Sequence, residues 1–544
     1  MKLKKAITSG IIIAMTMSLV ACGGGNSKSD TNTQKSSEID KISYEYEQDL
    51  NIIDDNYRNY YEIFVYSFAD SNGDGVGDLK GIENKLDYIA DMGFNGIWMT
   101  PIMPSTTYHK YDVTDYCNID KEYGTLDDFK SLLNKCHEKG INLIIDVPFN
   151  HSSSKHPWFV EATDYLKGLE KGEEPDANEC KYVDYYHFSK EQEDATYYNV
   201  PGTEYYYEGS FWQEMPDLNL ENESLKQDIK DIAKFWVDLG VDGFRMDAVM
   251  HYSETDEKLN TSTINWIYEY CKELNKDFYM VSEVWANEET IASYYTSKTP
   301  SMFNFDTSSV EGCLAKVALG NSNAESYVNK MVEYQEKYSG NNPDFIDAPF
   351  LTNHDQVRIA NNLQCDENKI KEAAGLLLMM SGNPFVYYGE EIGMISKGSE
   401  DENKRLPMYW SKDGSEVCQG AENAAKDVEQ VFDCVDDQLK DSKSILNYYK
   451  RAIRLRNENP EIARGKVEIV DSLTEGDVAV ITKEYDGSKI AILFNTSDEA
   501  KDIDISSTDI KDMDIRGYLT LNGEVVTMDN GKVSIPSKGI CILK

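Results

Sequence analysis

Positive charge is in short supply. The 544-residue chain sets 54 Lys and Arg against 96 Asp and Glu, a net charge of −42, and that balance repels phosphate backbones and anionic lipid surfaces, from which it would release no counterions. Nucleic acid is excluded as a partner. Paired cysteines are missing too: of ten, Cys22 lies near the start and the other nine are scattered at no metal-like spacing. An odd count without clusters argues against a disulfide framework and for buried free thiols. The apolar run at 11–20 is too short to cross a bilayer comfortably. A neutral ligand, such as a sugar polymer, suits an acidic surface of this kind without being implied by it.

What is present begins with a leader. Lys2, Lys4 and Lys5 precede the apolar run, and small residues surround Cys22, the layout of a secretory signal. Leu19-Val20-Ala21-Cys22 resembles the bacterial lipoprotein box, which predicts a signal over 1–22, lipidation of Cys22 and an extracytoplasmic, cell-surface location. The membrane is met only through that anchor. Residues 23–50, rich in Gly, Ser, Asn and Thr, read as a flexible tether.

Beyond the tether, short β-rich apolar segments recur between amphipathic stretches. Eight candidate strands fall at 62–68, 96–100, 142–147, 243–247, 278–283, 301–305, 348–351 and 384–388. Most are separated by helical patterns, such as LKGIENKLDYIADMG with Leu79, Ile82, Leu86, Ile89 and Ala90 on one face. Eight strand–helix units predict an α/β fold, the (β/α)₈ TIM barrel, over 51–150 and 214–460, with catalytic groups at the C-terminal strand ends. The connection after the third strand is too long for a simple loop, so 151–213 reads as an inserted domain. From 461 to 544 alternating apolar segments between turn signals such as Asp486-Gly487 predict a C-terminal antiparallel β-sandwich. A monomer is expected.

The barrel makes a specific demand: titratable residues should follow the apolar runs directly. Asp146, Asn150 and His151 follow the third, Arg245 and Asp247 sit in the fourth, Glu283 ends the fifth, and His354 and Asp355 follow the seventh. Arg245 lies two residues before Asp247, so on a strand the two point the same way, and the cation should keep Asp247 ionised. Glu283, beside Trp285, should be partly desolvated and hence a weaker acid. One ionised and one protonated carboxyl is what cleavage of a glycosidic bond requires. Each residue alone reads as an ion pair or a cap; their coincidence on successive strand ends is what points to chemistry.

DVPFNH, GFRMDAVMH, EVW and FLTNHD resemble the four signature regions of the α-amylase family of glycoside hydrolases, and MPDLN at 215–219 resembles its fifth. The likeness runs from about residue 51 to the C-terminus. It implies Asp247 as nucleophile, Glu283 as general acid/base and Asp355 as transition-state stabiliser. Arg245, His151 and His354 match the residues supporting the sugar whose bond is cut, and Tyr111, followed by Asp112, matches the aromatic platform beneath it. Arg358 reads equally as a further reach into that subsite or as a plain ion pair.

DSNGDGVGD places Asp70, Asn72, Asp74, the Val76 carbonyl and Asp78 at alternating positions, close to half of an EF-hand loop but lacking its bidentate Glu. A structural Ca²⁺ is expected there, in line with similar loops in the oligo-1,6-glucosidase branch. Ala248, after the nucleophile, is the residue common in α-amylases, whereas a Val there accompanies α-1,6 cleavage. His251 resembles the histidine of the amylase Lys-His pair, but Met250 occupies the Lys position. MPDLN is of a type seen between oligo-1,6-glucosidases and neopullulanases. The expectation is α-amylase activity on starch or maltooligosaccharides, with 4-α-glucanotransferase, α-glucosidase and neopullulanase-like α-1,6 activity as rivals. A non-catalytic surface glucan-binding lipoprotein is a rival of another class, disfavoured by three intact carboxylates.

Overall fold

A computed structural model describes residues 53, 55–426 and 428–544; Cys22 and the segments 1–22 and 23–50 lie outside them. Eight parallel strands form one sheet, with neighbours in the order β10-β9-β8-β7-β3-β2-β1-β11. They are β1 (Tyr60–Ile63), β2 (Gly96–Met99), β3 (Asn142–Val147), β7 (Gly243–Met246), β8 (Tyr279–Ser282), β9 (Ser301–Asn304), β10 (Ala348–Pro349) and β11 (Phe385–Tyr387). A single parallel bridge between Phe350 and Phe385 closes β10 onto β11. The predicted TIM barrel is present, and most of its strands are buried at every residue, as parallel strands covered by helices must be.

The first predicted strand differs. β1 stops at Ile63 and Val65–Phe68 is a turn of helix. Phe64, Val65 and Phe68 are as buried as the strand itself, so the apolar run does not end where the extended backbone does, and periodicity cannot mark the change. The helix read through 79–93 is broken at Lys85 into Leu79–Asn84 and Leu86–Met92, yet the expected face is kept, with Leu79, Ile82, Leu86 and Ile89 buried. Gly93 and Gly240 close their helices in the left-handed conformation, as terminal glycines do.

Between β3 and the helix Glu223–Leu239 the chain leaves the barrel. It forms the helix Pro157–Gly168 and a three-stranded antiparallel sheet of β4 (Phe188–Ser189), β6 (Tyr206–Glu208) and β5 (Tyr197–Asn199). Bridges His151–Asp217 and Tyr186–Leu218 tie this excursion back over the barrel mouth.

The C-terminal part stacks two antiparallel sheets. One has the order β12-β13-β14-β19-β16, the other β15-β18-β17, where β12 is Lys466–Ile469, β13 Val478–Tyr485, β14 Ser488–Asn495, β15 Lys501–Asp504, β16 Ile515–Leu519, β17 Thr527–Asp529, β18 Lys532–Ile535 and β19 Ile540–Leu543. Side chains alternate across a strand, and β14 uses both faces. Ile490, Ile492 and Phe494 join the barrel's core, whereas Ala491 and Leu493 pack with Ile503, Val533 and Ile535 inside the sandwich. The nine described cysteines are free, five of them buried, as the sequence led us to expect.

Candidate active site

The C-terminal strand ends open into a cleft of about 730 Å³. At its floor Arg245, 1% exposed, lies 5.2 Å from the face of the Trp98 ring. Register pairs Arg245 with Asp146 across β3 and β7, and the Arg245 Nη1 donates to both Asp146 carboxyl oxygens at 3.0 Å. It also donates to Asp247 Oδ1 at 2.5 Å, while Nη2 lies 3.1 Å from Glu283 Oε1. One buried cation thus holds three carboxyl groups. The next residue, Ala248, adopts the left-handed conformation (φ 49°, ψ 37°), uncommon without glycine, and its N–H donates to Glu283 Oε2 at 3.0 Å.

Burial pushes the Glu283 carboxyl up to about 7, against the pull of Arg245 and with the help of Asp247 and Asp355. The direction is that expected from the sequence; Trp285 lines the same cleft, is 53% exposed and stacks on Phe305 with ring centroids 5.0 Å apart. Arg245 pulls the Asp247 carboxyl down, as expected from the sequence, but burial raises it by more. Arg245 nevertheless sits closer to Asp247 than to Glu283, which directs the shared negative charge to Asp247 and the proton to Glu283.

Asp355 behaves oppositely. Burial disfavours its charge, but His354, Arg405 and Arg245 hold it well below the usual range. Since burial drops His354 to about 3, the imidazole is neutral at working pH. The strongest hydrogen bond from a permanent cation to Asp355 is that of Arg405, whose Nη2 donates to Oδ1 at 2.6 Å. His354 Nε2 stands 3.2 Å from Oδ2, and Nδ1 is bound to Glu62 at 2.7 Å.

Other predicted residues converge on the same cleft. Tyr111 lines it, stacked on His354 at 5.6 Å, its hydroxyl donating to Asp146 at 2.9 Å. His151 also lines it, with a buried Nε2 that has no hydrogen-bond partner, a donor or acceptor ready for a ligand hydroxyl. Met250 and His251 form part of the wall, His251 bound to Glu254 and edge-on to Phe211.

Two predicted contacts are not made. Asp112 is fully buried outside the cleft lining, where it accepts from Ser105, Thr106 and Thr107 and so shapes the loop preceding Tyr111. Arg358 is buried against Tyr387 and Tyr388 and donates to the Tyr388 carbonyl at 2.6 Å; its side chain is drawn into the ring faces behind Asp355. Sequence reasoning missed Glu62, His109, Arg405 and the exposed rim aromatics Phe211 and Trp212. Glu62 had a signal, as a carboxyl near the end of β1. Arg405 had none, because it lies in a long loop with no motif.

In the loop 70–78 the carboxyl oxygens turn inward. Asp70 accepts from the amides of Asn72, Gly73 and Gly75, Asp74 from Val76, and Asp78 from Ser71 and, as a helix cap, Gly81. Among the described residues no three His, Cys, Asp or Glu side chains form a group able to hold a metal ion. The expected Ca²⁺ set also includes Asn72 and the Val76 carbonyl, and no step is assigned to an ion there.

Known proteins resemble this chain in sequence and in fold. The family model for the alpha amylase catalytic domain matches residues 62–465. The chain is 39% identical to Alpha-amylase 3 of Dictyoglomus thermophilum, over 82% of this chain and 89% of that protein. It is 29% identical to an Oligo-1,6-glucosidase of Bacillus cereus, over 86% and 95% respectively. The solved structure of Eubacterium rectale Amy13B superposes with a TM-score of 0.88 at 44% identity, covering 95% of this chain and 99% of that one.

Proposed function

Since the chain belongs to the α-amylase family of glycoside hydrolases, we propose that it cleaves α-1,4-glucosidic bonds in starch and maltooligosaccharides with retention of anomeric configuration. The observation that carries this reading is the grip of one guanidinium on Asp247 and Glu283 at the floor of a cleft that also holds Asp355. In the first step an Asp247 oxygen bonds to the anomeric carbon as the glycosidic C–O bond breaks and the Glu283 proton passes to the leaving oxygen. In the second, Glu283 takes a proton from water, whose oxygen displaces Asp247. The ionised Asp355 faces the sugar hydroxyls while the ring carries positive charge.

The preference for α-1,4 bonds is supported by the small Ala248 beside the nucleophile and by the relative named as an α-amylase. Incubation with maltoheptaose and with an α-1,6-linked oligomer, followed by NMR identification of products and of the first anomer, tests it. Shorter maltooligosaccharides released as the α-anomer are expected. Release of the β-anomer removes the double displacement. Glucose alone means an exo-glucosidase, products longer than the substrate mean a glucanotransferase, and a protein that binds glucan without cleaving it is the surface binder.

We further propose that Cys22 is lipidated and anchors the protein outside the cytoplasm, as a monomer. Loss of fatty-acid labelling in Cys22→Ser tests the anchor. Ca²⁺ at Asp70, Asn72, Asp74, Val76 and Asp78 is supported by the alternating spacing alone. Chelation that leaves both Tm and activity unchanged would remove it.

A further inference from the structure

Beyond β11 the chain makes a long excursion that the barrel holds in place. Tyr388 Oη donates to the Leu406 carbonyl at 2.5 Å and Tyr387 Oη to that of Lys404 at 3.3 Å. The Met408 N–H donates to the Ser67 carbonyl at 2.9 Å, and Trp410 Nε1 to that of Phe68 at 2.6 Å. Arg405 is fixed between these pins and is 5% exposed. Its guanidinium bonds two different loops: Nε and Nη2 to the loop after β10, at the His354 carbonyl (3.0 Å) and Asp355 Oδ1 (2.6 Å), and Nη1 to Tyr108 Oη (2.9 Å) on the loop after β2. The Phe64 ring lies 5.2 Å from it.

We propose that Arg405 is a positioning residue for the hydrolysis, acting through Asp355. The inference rests on the assignment of Asp355 to the reaction. Asp355 is gripped on one oxygen by Arg405 and faced on the other by His354, so both its rotamer and its charge are set before a sugar enters. A planar fork spends its donors in fixed directions, which a lysine in the same place does not reproduce. A plain structural ion pair would hide both partners, but the Asp355 side chain keeps 29% of its surface exposed, in the cleft.

The charged and titratable groups around Asp355 are Arg405 and Asp401 from the loop after β11, His354 from its own loop, His109 and Tyr111 from the loop after β2, Arg245 and Asp247 at β7, Glu283 at β8 and Glu62 at β1. Arg245 is already shared by three carboxyls. Without Arg405, Asp355 is left facing Asp247, Glu283 and Glu62 with less positive charge beside it and takes up a proton at higher pH.

The test uses the full mature enzyme, a glycosyl fluoride with a good leaving group so that slow variants remain measurable, and wild type and Asp247→Asn as references. Arg405→Gln should lower kcat about 100-fold with KM changed less than about 3-fold, and should move the acid limb of kcat/KM to higher pH. In an Asp355→Asn background the same change should cost less than about 3-fold, since nothing remains for Arg405 to position. Arg405→Lys should restore much of the acid limb but not kcat. Equal losses in both backgrounds, or full activity in Arg405→Gln, would overturn the proposal. If Arg405→Gln melts early, Arg405→Lys read in the same two backgrounds decides between them. A wild type with no hydrolysis would instead remove the catalytic assignment beneath it.

Discussion

At the scale of single residues, the acid role proposed for Glu283 sets the expected pH profile. An acid catalyst must carry its proton, so kcat/KM should fall as pH rises through about 7, where burial and the neighbouring acids place this carboxyl. Glu283→Gln should abolish that alkaline limb. It should also slow a natural glucan by about 10²- to 10⁴-fold, whereas a glycosyl fluoride, whose leaving group needs no proton, should still glycosylate Asp247 and turn over once azide is added to replace the water that Glu283 would deprotonate. Asp247→Asn should lose several orders of magnitude on both substrates, because no covalent intermediate can form. Loss of equal size in both variants on both substrates would contradict the division of roles. The pairing of Arg245 with Asp247 was legible in the sequence because two residues apart on a strand means one face. The direction of the Asp247 shift was not, since burial at the barrel floor depends on every neighbouring strand.

At the scale of elements, the strand ends decide where these groups stand. Gly243 starts β7, and a Cβ there would lie 2.3 Å from the Tyr279 carbonyl and 2.9 Å from Ile144. Gly243→Ala should therefore force β7 away from β8 and β3, destabilising the protein by about 1–3 kcal/mol in a thermal melt. Activity should fall further than stability explains, since β7 and β8 carry Asp247 and Glu283. The eight barrel strands could be read from their apolar runs, and four of them, the third, fourth, fifth and seventh, also from the titratable residues at their ends, because the barrel imposes that order. The helical turn Val65–Phe68 escaped, being as apolar as the strand before it. So did Arg405, whose place is set by hydrogen bonds that its loop accepts from Tyr387 and Tyr388 and donates to the Ser67 and Phe68 carbonyls, none of which carries a local pattern. Arg358 misled in the opposite way: proximity to Asp355 in sequence did not survive the pull of two buried tyrosine rings.

At the scale of the whole molecule, the barrel and the C-terminal sandwich share a layer. The outer face of β14 reaches the barrel through Phe494 against Tyr327, with ring centroids 5.3 Å apart, and Lys483 is buried with its ammonium donating to the carbonyls of Met379 and Ile462. A chain ending at 465 should leave that surface bare and fail to give a soluble, cooperatively melting barrel by gel filtration and calorimetry. Phe494→Ala in the full chain should cost about 3–5 kcal/mol. A truncated barrel with unchanged Tm would show that the tail is an independent unit.

The barrel's staves are unevenly joined. β10 has two residues and meets β11 at one bridge, Phe350 to Phe385, whereas β1 and β2 pair over four. The loops leaving those two thinly stitched staves carry Asp355 and Arg405, so the charged clasp above the seam also fastens it. A glucan that engages Asp355 loads this join, and slower hydrogen exchange at the amides flanking 350 and 385 is where an occupied cleft should first be felt in the backbone.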